Sequence, residues 1–340
     1  MTNRTLVHKT LEFENKTGRV PRQLWCLPWA ESRYPGELAS IRADYPADIV
    51  SAPAELSQPT IAKGDPYALG TSTDEWGCVF HNLQAGIIGE VKEPIITDED
   101  WEDLSQVYIP EEVLSFDIAQ VNAFCRSTDN FVTSGGALPR PFERLQFLRG
   151  TASLYMDLVT QPSGMMTFIG KMHAHNCELL EKWASTEVDA LSFMDDWGSQ
   201  NNLLISPELW KDIFMPMYKD YIDIAHRKGK KAFMHSDGNI LSIYPLLIDL
   251  GLDAINSQLF CMGVDNLSAY KGKITFWGEI DRQHLLPNGT KTEIDQTVRH
   301  IHDTLWEKGG CIAQCEFGPG AKPENVRQVY ESWSKLDISS

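Results

Sequence analysis

Ser206-Pro207-Glu208, the amphipathic run to His226-Arg227-Lys228-Gly229, and then Lys231-Ala232-Phe233-Met234-His235-Ser236-Asp237-Gly238 form the stretch that decides the fold. Ser206 is a helix-capping residue, Pro207 falls in the first turn, and Glu208 meets the positive end of the helix dipole. Leu209, Ile213, Met217, Tyr221 and Ile224 recur at helical spacing. The run stops with cations in its last turn and Gly229 just beyond, as helices do. Lys231 to Met234 then reads as a short strand ending at His235. A helix that hands over to a strand ending in polar residues is one unit of an alternating α/β chain.

The unit repeats on both sides. Ile240 to Leu250 reads as a helix closed by Gly251, and Leu252-Asp253-Ala254-Ile255-Asn256 as the next strand. Ile274-Thr275-Phe276-Trp277 is a strand ending at Gly278-Glu279, and Ile294, Val298, Ile301 and Leu305 stripe a helix that ends at Lys308-Gly309-Gly310. Cys311-Ile312-Ala313-Gln314 delivers Cys315, and a last helix runs from about Pro323 to Trp333. Upstream, Val188 to Met194 ends in Asp195-Asp196-Trp197-Gly198, and Phe131-Val132-Thr133 ends in Ser134-Gly135-Gly136. The alternation predicts a parallel sheet with right-handed crossovers. Without a G-x-G-x-x-G or Walker motif, a closed (β/α)8 TIM barrel is favoured over an open nucleotide-binding sheet. No linker, low-complexity tract or internal repeat stands out. One domain over residues 1–340, with residues 1–45 as an N-terminal extension, is the economical reading.

At 340 residues the chain can bury a large core, and its formal charge of -17 argues against nucleic-acid phosphate or an anionic membrane as main partner. Its seven cysteines are odd in number and scattered, which fits a reducing cytoplasm better than a disulfide framework. The N-terminal residues lead into a charged, helix-like stretch without an apolar signal core, and no apolar run approaches membrane-span length. A cytoplasmic location is expected.

His235 and Asp237 lie two apart, so strand alternation turns both to one side, and Cys315 arrives from another strand end. Imidazole, carboxylate and thiolate make a three-ligand set for a catalytic zinc with a fourth position open. The alternative is a hydrogen-bonded acid–base pair without metal, with Cys315 in the core. Asp196 is read as a hydrogen-bond partner for substrate or for a ligating imidazole, or, with Asp195, as a turn and capping pair. Glu279 is read as a further ligand or general acid, or as the salt-bridge partner of Arg282. Trp76, Trp197 and Trp277 sit beside glycines and acids and are candidates to line a pocket for a flat substrate, or to fill the core. His173 and His175 share no helix face and read as structural. Glu316 should point away from Cys315 and is left out of the site.

Taken in order, Asp195-Asp196-Trp197-Gly198, Ile205-Ser206-Pro207-Glu208-Leu209-Trp210, Ala225-His226-Arg227-Lys228-Gly229, His235-Ser236-Asp237-Gly238 and Gly318-Pro319-Gly320-Ala321-Lys322-Pro323-Glu324-Asn325 resemble the uroporphyrinogen decarboxylase superfamily. Asp74-Glu75-Trp76-Gly77-Cys78-Val79 followed by Gly86-Ile87-Ile88-Gly89-Glu90 is similar to its branch of cobamide-dependent methyltransferases. True decarboxylases carry an N-terminal Arg-Gln-Ala-Gly-Arg segment that grips substrate carboxylates. Here Pro21-Arg22-Gln23-Leu24-Trp25-Cys26-Leu27-Pro28-Trp29 lacks the paired arginines, and Ile49-Val50-Ser51-Ala52 lacks the acid of the decarboxylase Phe-Ser-Asp strand end. Porphyrin decarboxylation is therefore not expected.

The methyltransferase branch commonly binds zinc through His-x-Cys and a distant Cys. His235 and Cys315 match that pattern, while Asp237 stands at the middle position. A carboxylate donates less electron density than a thiolate and leaves the metal a stronger Lewis acid, which suits a methoxy leaving oxygen. The resemblance implies a zinc-dependent transfer of methyl between a small methylated substrate and a separate corrinoid protein. The chain has no Asp-x-His-x-x-Gly cobalt signature of its own. A decarboxylase or lyase using His235 and Asp237 as an acid–base pair, and a non-catalytic small-molecule-binding barrel, are the alternatives. A homodimer is left open.

Overall fold

In the computed structural model, which describes residues 1–136 and 138–337, the alternation read from the sequence closes into a barrel. Ala137 and residues 338–340 of the expected 1–340 domain lie outside the described residues. The strands in chain order are β1 (Arg22–Cys26), β2 (Ile49–Ser51), β3 (Gly70–Thr73), β4 (Val79–Asn82), β5 (Glu90–Val91) and β6 (Phe131–Thr133). They continue with β7 (Ala190–Met194), β8 (Lys231–Ser236), β9 (Ala254–Ser257), β10 (Thr275–Trp277) and β11 (Cys311–Phe317). Eight of them form one sheet in the order β1-β11-β10-β9-β8-β7-β6-β2, all pairs parallel. The ends of that order meet through the Asp48 backbone, whose N–H donates to Arg22 O at 2.8 Å, and through Arg22 N–H, which donates to Asp48 Oδ2 at 2.8 Å. This is the (β/α)8 architecture. β1, which closes it, lies inside the 1–45 segment read from the sequence as an extension.

The helix that precedes β1 closes the floor. The helix Asn3–Leu11 sends Val7 and Leu11 into the barrel interior, where they join Ile49, Phe131, Ala190, Phe233, Ala254 and Ile312. Arg4 fixes the helix there, donating from Nε to Asp189 Oδ2 at 3.0 Å and from a guanidinium nitrogen to Cys125 O at 2.7 Å. Interior residues of successive strands stack in layers as barrel cores do. The opposite faces of the strands meet the surrounding helices in a second, larger apolar layer that includes Trp183, Trp197, Phe214 and Tyr218.

Two predicted helices depart from regularity, both at prolines. After the Ser206 cap, whose Oγ accepts from Leu209 N–H at 3.2 Å, residues Trp210–Phe214 form a π turn before the helix Met215–Arg227. Pro216 has no N–H to give to the preceding turn. Tyr244-Pro245 likewise breaks the 240–250 segment into a 3-10 turn, Leu241–Ile243, and a short helix, Tyr244–Asp249.

Between β2 and β6 a small antiparallel sheet, β3-β4-β5, packs on the helix side. Its Asp74 turn, where Oδ1 accepts from the Trp76 and Cys78 amides at 3.0 and 2.8 Å, is anchored by Arg144. Arg144 pairs with Asp74 and Glu75, and its guanidinium lies 5.1 Å from the Trp76 ring centre. No helix among the described residues is long and apolar enough to cross a membrane.

Candidate metal centre

Strand parity builds the site. Along β8, Phe233 faces the barrel interior and Met234 the helices, so His235 and Asp237 point inward at the C-terminal mouth. The loops that leave β7 and β8 are zipped together. Asp195 N–H donates to His235 O at 3.1 Å, Trp197 N–H to Ser236 Oγ at 3.1 Å, Gly198 N–H to Asp237 O at 3.1 Å, and Asp237 N–H to Asp196 Oδ1 at 3.0 Å. The two backbones approach so closely at Gly198 and Gly238 that a Cβ on Gly238 would lie 2.0 Å from Gly198 O. Gly238 also has a φ of +79°, a conformation that side chains disfavour.

This zipper brings Asp196 to the pair on β8. His235 Nε2 lies 3.5 Å from Asp196 Oδ1 and 3.7 Å from Asp237 Oδ1, and one donor atom from each of the three residues falls within 4.8 Å of the others. Asn256 on β9 orients the ring. Its Nδ2 donates to Trp277 O, so its Oδ1 is the acceptor facing His235 Nδ1 at 2.6 Å. A proton is therefore on Nδ1, and Nε2 is the ring nitrogen that faces the carboxylates. Burial works against an imidazolium here, but Asp237 and Asp196 outweigh it and hold the His235 pKa above its ordinary value. Asp237 Oδ1 is buried without a hydrogen-bond partner, and Asp237 Oδ2 is paired with Arg282.

Arg282 gathers the remaining acids, at 3.1 Å from Glu316 Oε1 and 3.6 Å from Glu279 Oε1. Glu279 is 2% exposed, and burial pushes its carboxyl up to about 8 even though Arg282 pulls the other way. Glu143 is partly buried, and that desolvation, together with Asp196, raises it to about 7. Two clefts share Arg282 as a wall. One, of about 250 Å³, is lined also by Gln258, Cys261 and Glu279, and the other, of about 420 Å³, by Pro287, Glu316 and Gly318.

Of the three ligands read from the sequence, the structure brings His235 and Asp237 together and sends Cys315 elsewhere. Cys315 is fully buried on the outer face of β11, its Sγ 3.6 Å from Tyr330 Oη, and burial raises its thiol to about 12. The reason is parity: Ile312 is interior, so Gln314 and Glu316 face inward while Cys311, Ala313 and Cys315 face the helices. Asp196 takes the third corner. Asp195, fully buried, accepts from the amides of Phe142 and Glu143 at 3.0 and 2.8 Å and from Tyr218 Oη at 2.6 Å, which is a capping role. Glu279 stands 3.6 Å from Arg282, the neighbour that its sequence position suggested, while burial favours its protonated form.

The three tryptophans do not line one pocket. Trp197 stacks on Phe142 at 4.2 Å in the outer core and donates to Tyr218 Oη at 2.8 Å. Trp76 packs on Arg144 and on His175, with its ring centre 5.6 Å from the His175 ring. Trp277 fills the barrel below the mouth and donates to Gln23 Oε1 at 2.8 Å. The aromatic ring beside the cluster is Trp25 of β1, 5.4 Å from the His235 ring and edge-on to Trp277 at 5.1 Å. Trp25, Asn256 and Glu143 were not singled out in the sequence, and Glu316, left out of the site because it points away from Cys315, lies at the mouth for that same reason. Glu316 was within reach of the sequence, because only one face of Ile312-Ala313-Gln314-Cys315-Glu316 turns polar toward the strand end, and that is the face a barrel mouth requires.

No curated protein matches the chain. Among solved structures, a methyltransferase from Methanosarcina mazei superposes with a TM-score of 0.67 at 13% identity, covering 99% of this chain and 99% of that one. A dihydropteroate synthase from Coxiella burnetii aligns over 52% of this chain and 63% of its own, with a TM-score of 0.31 and 14% identity. At 13% identity the likeness to the methyltransferase speaks to the fold, and the family is carried by the sequence itself. The uroporphyrinogen decarboxylase (URO-D) family model matches residues 72–336, from the Asp74 hairpin to the last helix, which takes in β6 to β11 of the barrel and leaves out β1 and β2, and the chain belongs to that family.

Proposed function

We propose that this chain is a zinc-dependent methyltransferase that moves a methyl group between a small methylated substrate and a separate corrinoid protein. The observation that carries the reading is the convergence of His235, Asp196 and Asp237 at the barrel mouth, with Asp237 Oδ1 buried and unpartnered and His235 Nε2 left free by Asn256. One imidazole nitrogen and two carboxylate oxygens suit a divalent ion with an open position. Zinc, when bound there, supplies Lewis acidity toward the atom that releases the methyl.

The chain's own residues do the rest. Asn256 fixes the imidazole, and Arg282 holds Asp237 in place while balancing Glu316. Trp25 gives the mouth one apolar wall beside His235. Glu279, with its carboxyl near 8, keeps a proton at neutral pH and is placed to deliver it beside Arg282. A methyltransferase from Methanosarcina mazei with the same fold along its whole length agrees with this choice of branch.

The test is elemental analysis joined to a transfer assay. About one equivalent of zinc should bind at the mouth, with His235→Ala and Asp196→Asn losing most of it and Cys315→Ser keeping it. Mixed with a methylated substrate and a reduced cognate corrinoid protein, the chain should produce methylcobalt absorbance that neither protein gives alone. Zinc retained in both His235→Ala and Asp196→Asn, or turnover of substrate by metal-free protein, would overturn the reading in favour of acid–base chemistry.

A further inference from the structure

Away from the mouth, the helices Ser163–Ala184 and Met215–Arg227 pack side by side on the outside of the barrel. Three residues of metal-ligand type converge between them. His173 and Cys177 are four apart on the first helix and so lie one above the other on a single face. His173 Nε2 is 2.9 Å from Asp220 Oδ2 on the second helix, and Cys177 Sγ is 3.6 Å from the same nitrogen. All three donor atoms lie within 4.8 Å of one another. A tetrahedral zinc at ordinary bond lengths keeps nitrogen, oxygen and sulfur donors about 3.3–3.6 Å apart. His173 Nε2 and Cys177 Sγ stand at that spacing, and the His173–Asp220 contact has to open by only a few tenths of an ångström to admit an ion.

We propose that His173, Cys177 and Asp220 form a second metal site, separate from the barrel mouth, that takes a borderline-soft divalent cation of the zinc type and clasps the two helices together. The surroundings are those of a ligand set. Tyr221 Oη lies 3.5 Å from His173 Nδ1 and accepts from Asn176 Nδ2 at 3.1 Å. With Nε2 on the ion, the Nδ1 proton has the Tyr221 oxygen as its acceptor, the support that metal-bound imidazoles usually receive. The negative field of Asp220 and Glu181 acts on the Cys177 thiol and draws a cation to it. On binding, the thiol proton leaves to solvent and the thiolate takes the metal. Asp220 is 56% exposed along its side chain, so an ion has a route in and water a place at the fourth position. The first helix runs on into β7 and the second into β8, the strands whose ends build the mouth.

The sulfur separates this site from the other, because the mouth cluster contains none. Chelator-treated full-length protein is titrated with cobalt(II) while thiolate-to-cobalt charge-transfer absorbance is followed in the near ultraviolet. The band should appear in the parent and in Asp237→Asn, which disables the mouth. It should vanish in Cys177→Ser, and cobalt affinity should fall on the order of 10-fold or more in His173→Ala and in the exposed variant Asp220→Asn. No band in a folded parent, or a band that persists in Cys177→Ser, would overturn the proposal.

Discussion

The side-chain amide of Asn256 decides what His235 can do. Its nitrogen is engaged with Trp277 O, so its oxygen faces Nδ1 and the other imidazole nitrogen is left for a ligand. Asn256→Ala should therefore weaken zinc at the mouth by about 10–100-fold while every proposed ligand stays in place. Competition with a chromophoric chelator measures this, and an unchanged affinity would mean that the ring needs no such guide. Glu279 carries a different prediction. Its folded-state pKa of about 8 lies above the roughly 4.3 of an unfolded glutamate, so the folded chain binds the extra proton. Its contribution to stability is fully present below the lower value and is lost as pH rises through the higher one. Metal-free protein should lose thermal midpoint between pH 6 and pH 9, and Glu279→Gln should lose less. Equal losses would show that Arg282 already neutralises the carboxylate. His235, Asp237 and Asp196 were legible in the sequence as polar residues at strand ends. Asn256 was not, because a carboxamide at a strand end has no distinctive pattern until its two neighbours are known.

At the scale of elements, the informative comparison is β8 with β11. Both were read as apolar strands that deliver a ligand at their C-terminal ends, and the reading holds for β8 because Phe233, His235 and Asp237 share the interior face. On β11 the same rule selects Gln314 and Glu316, and Cys315 goes to the helix layer beside Tyr330. Both faces of that strand carry small or apolar residues at its start, and only Gln314 and Glu316 near its end mark which of the two alternating sets is inside. The loops are a second matter of elements. Gly198 and Gly238 let the β7 and β8 loops touch, and that contact places Asp196 beside His235. Gly238→Ala meets both a backbone oxygen and a disfavoured φ, so the loops must part. Zinc content of Gly238→Ala should fall to a small fraction of the parent's while the far-ultraviolet circular dichroism of the barrel persists. A variant that holds zinc normally would show that the zipper does not place the ligand.

For the whole molecule, the barrel was legible because each helix–strand unit repeats the same start and stop chemistry from Phe131 onward. The first quarter was harder. β1 and β2 are three to five residues long, their crossover is irregular, and the β3-β4-β5 sheet interrupts the alternation before β6. No periodicity marks such pieces; the parallel pairing of β1 with β11 and the hydrogen bonds between Asp48 and Arg22 show that β1 belongs to the ring and closes it. The helix Asn3–Leu11, seated under the ring with Val7 and Leu11 inside it, has a consequence for traffic. It makes the barrel a cup with one rim instead of a tube with two. Whatever reaches His235 must come over that rim and leave by it. On the proposed reading, a small methylated compound and a bulky corrinoid carrier then queue for one doorway, and the carrier, once seated, acts as the lid. Order of arrival becomes compulsory: the small molecule first, the carrier second. Raising the carrier at limiting substrate should slow turnover, and the slowing should disappear when substrate is abundant; a rate that rises with carrier at every substrate level would mean a second entrance.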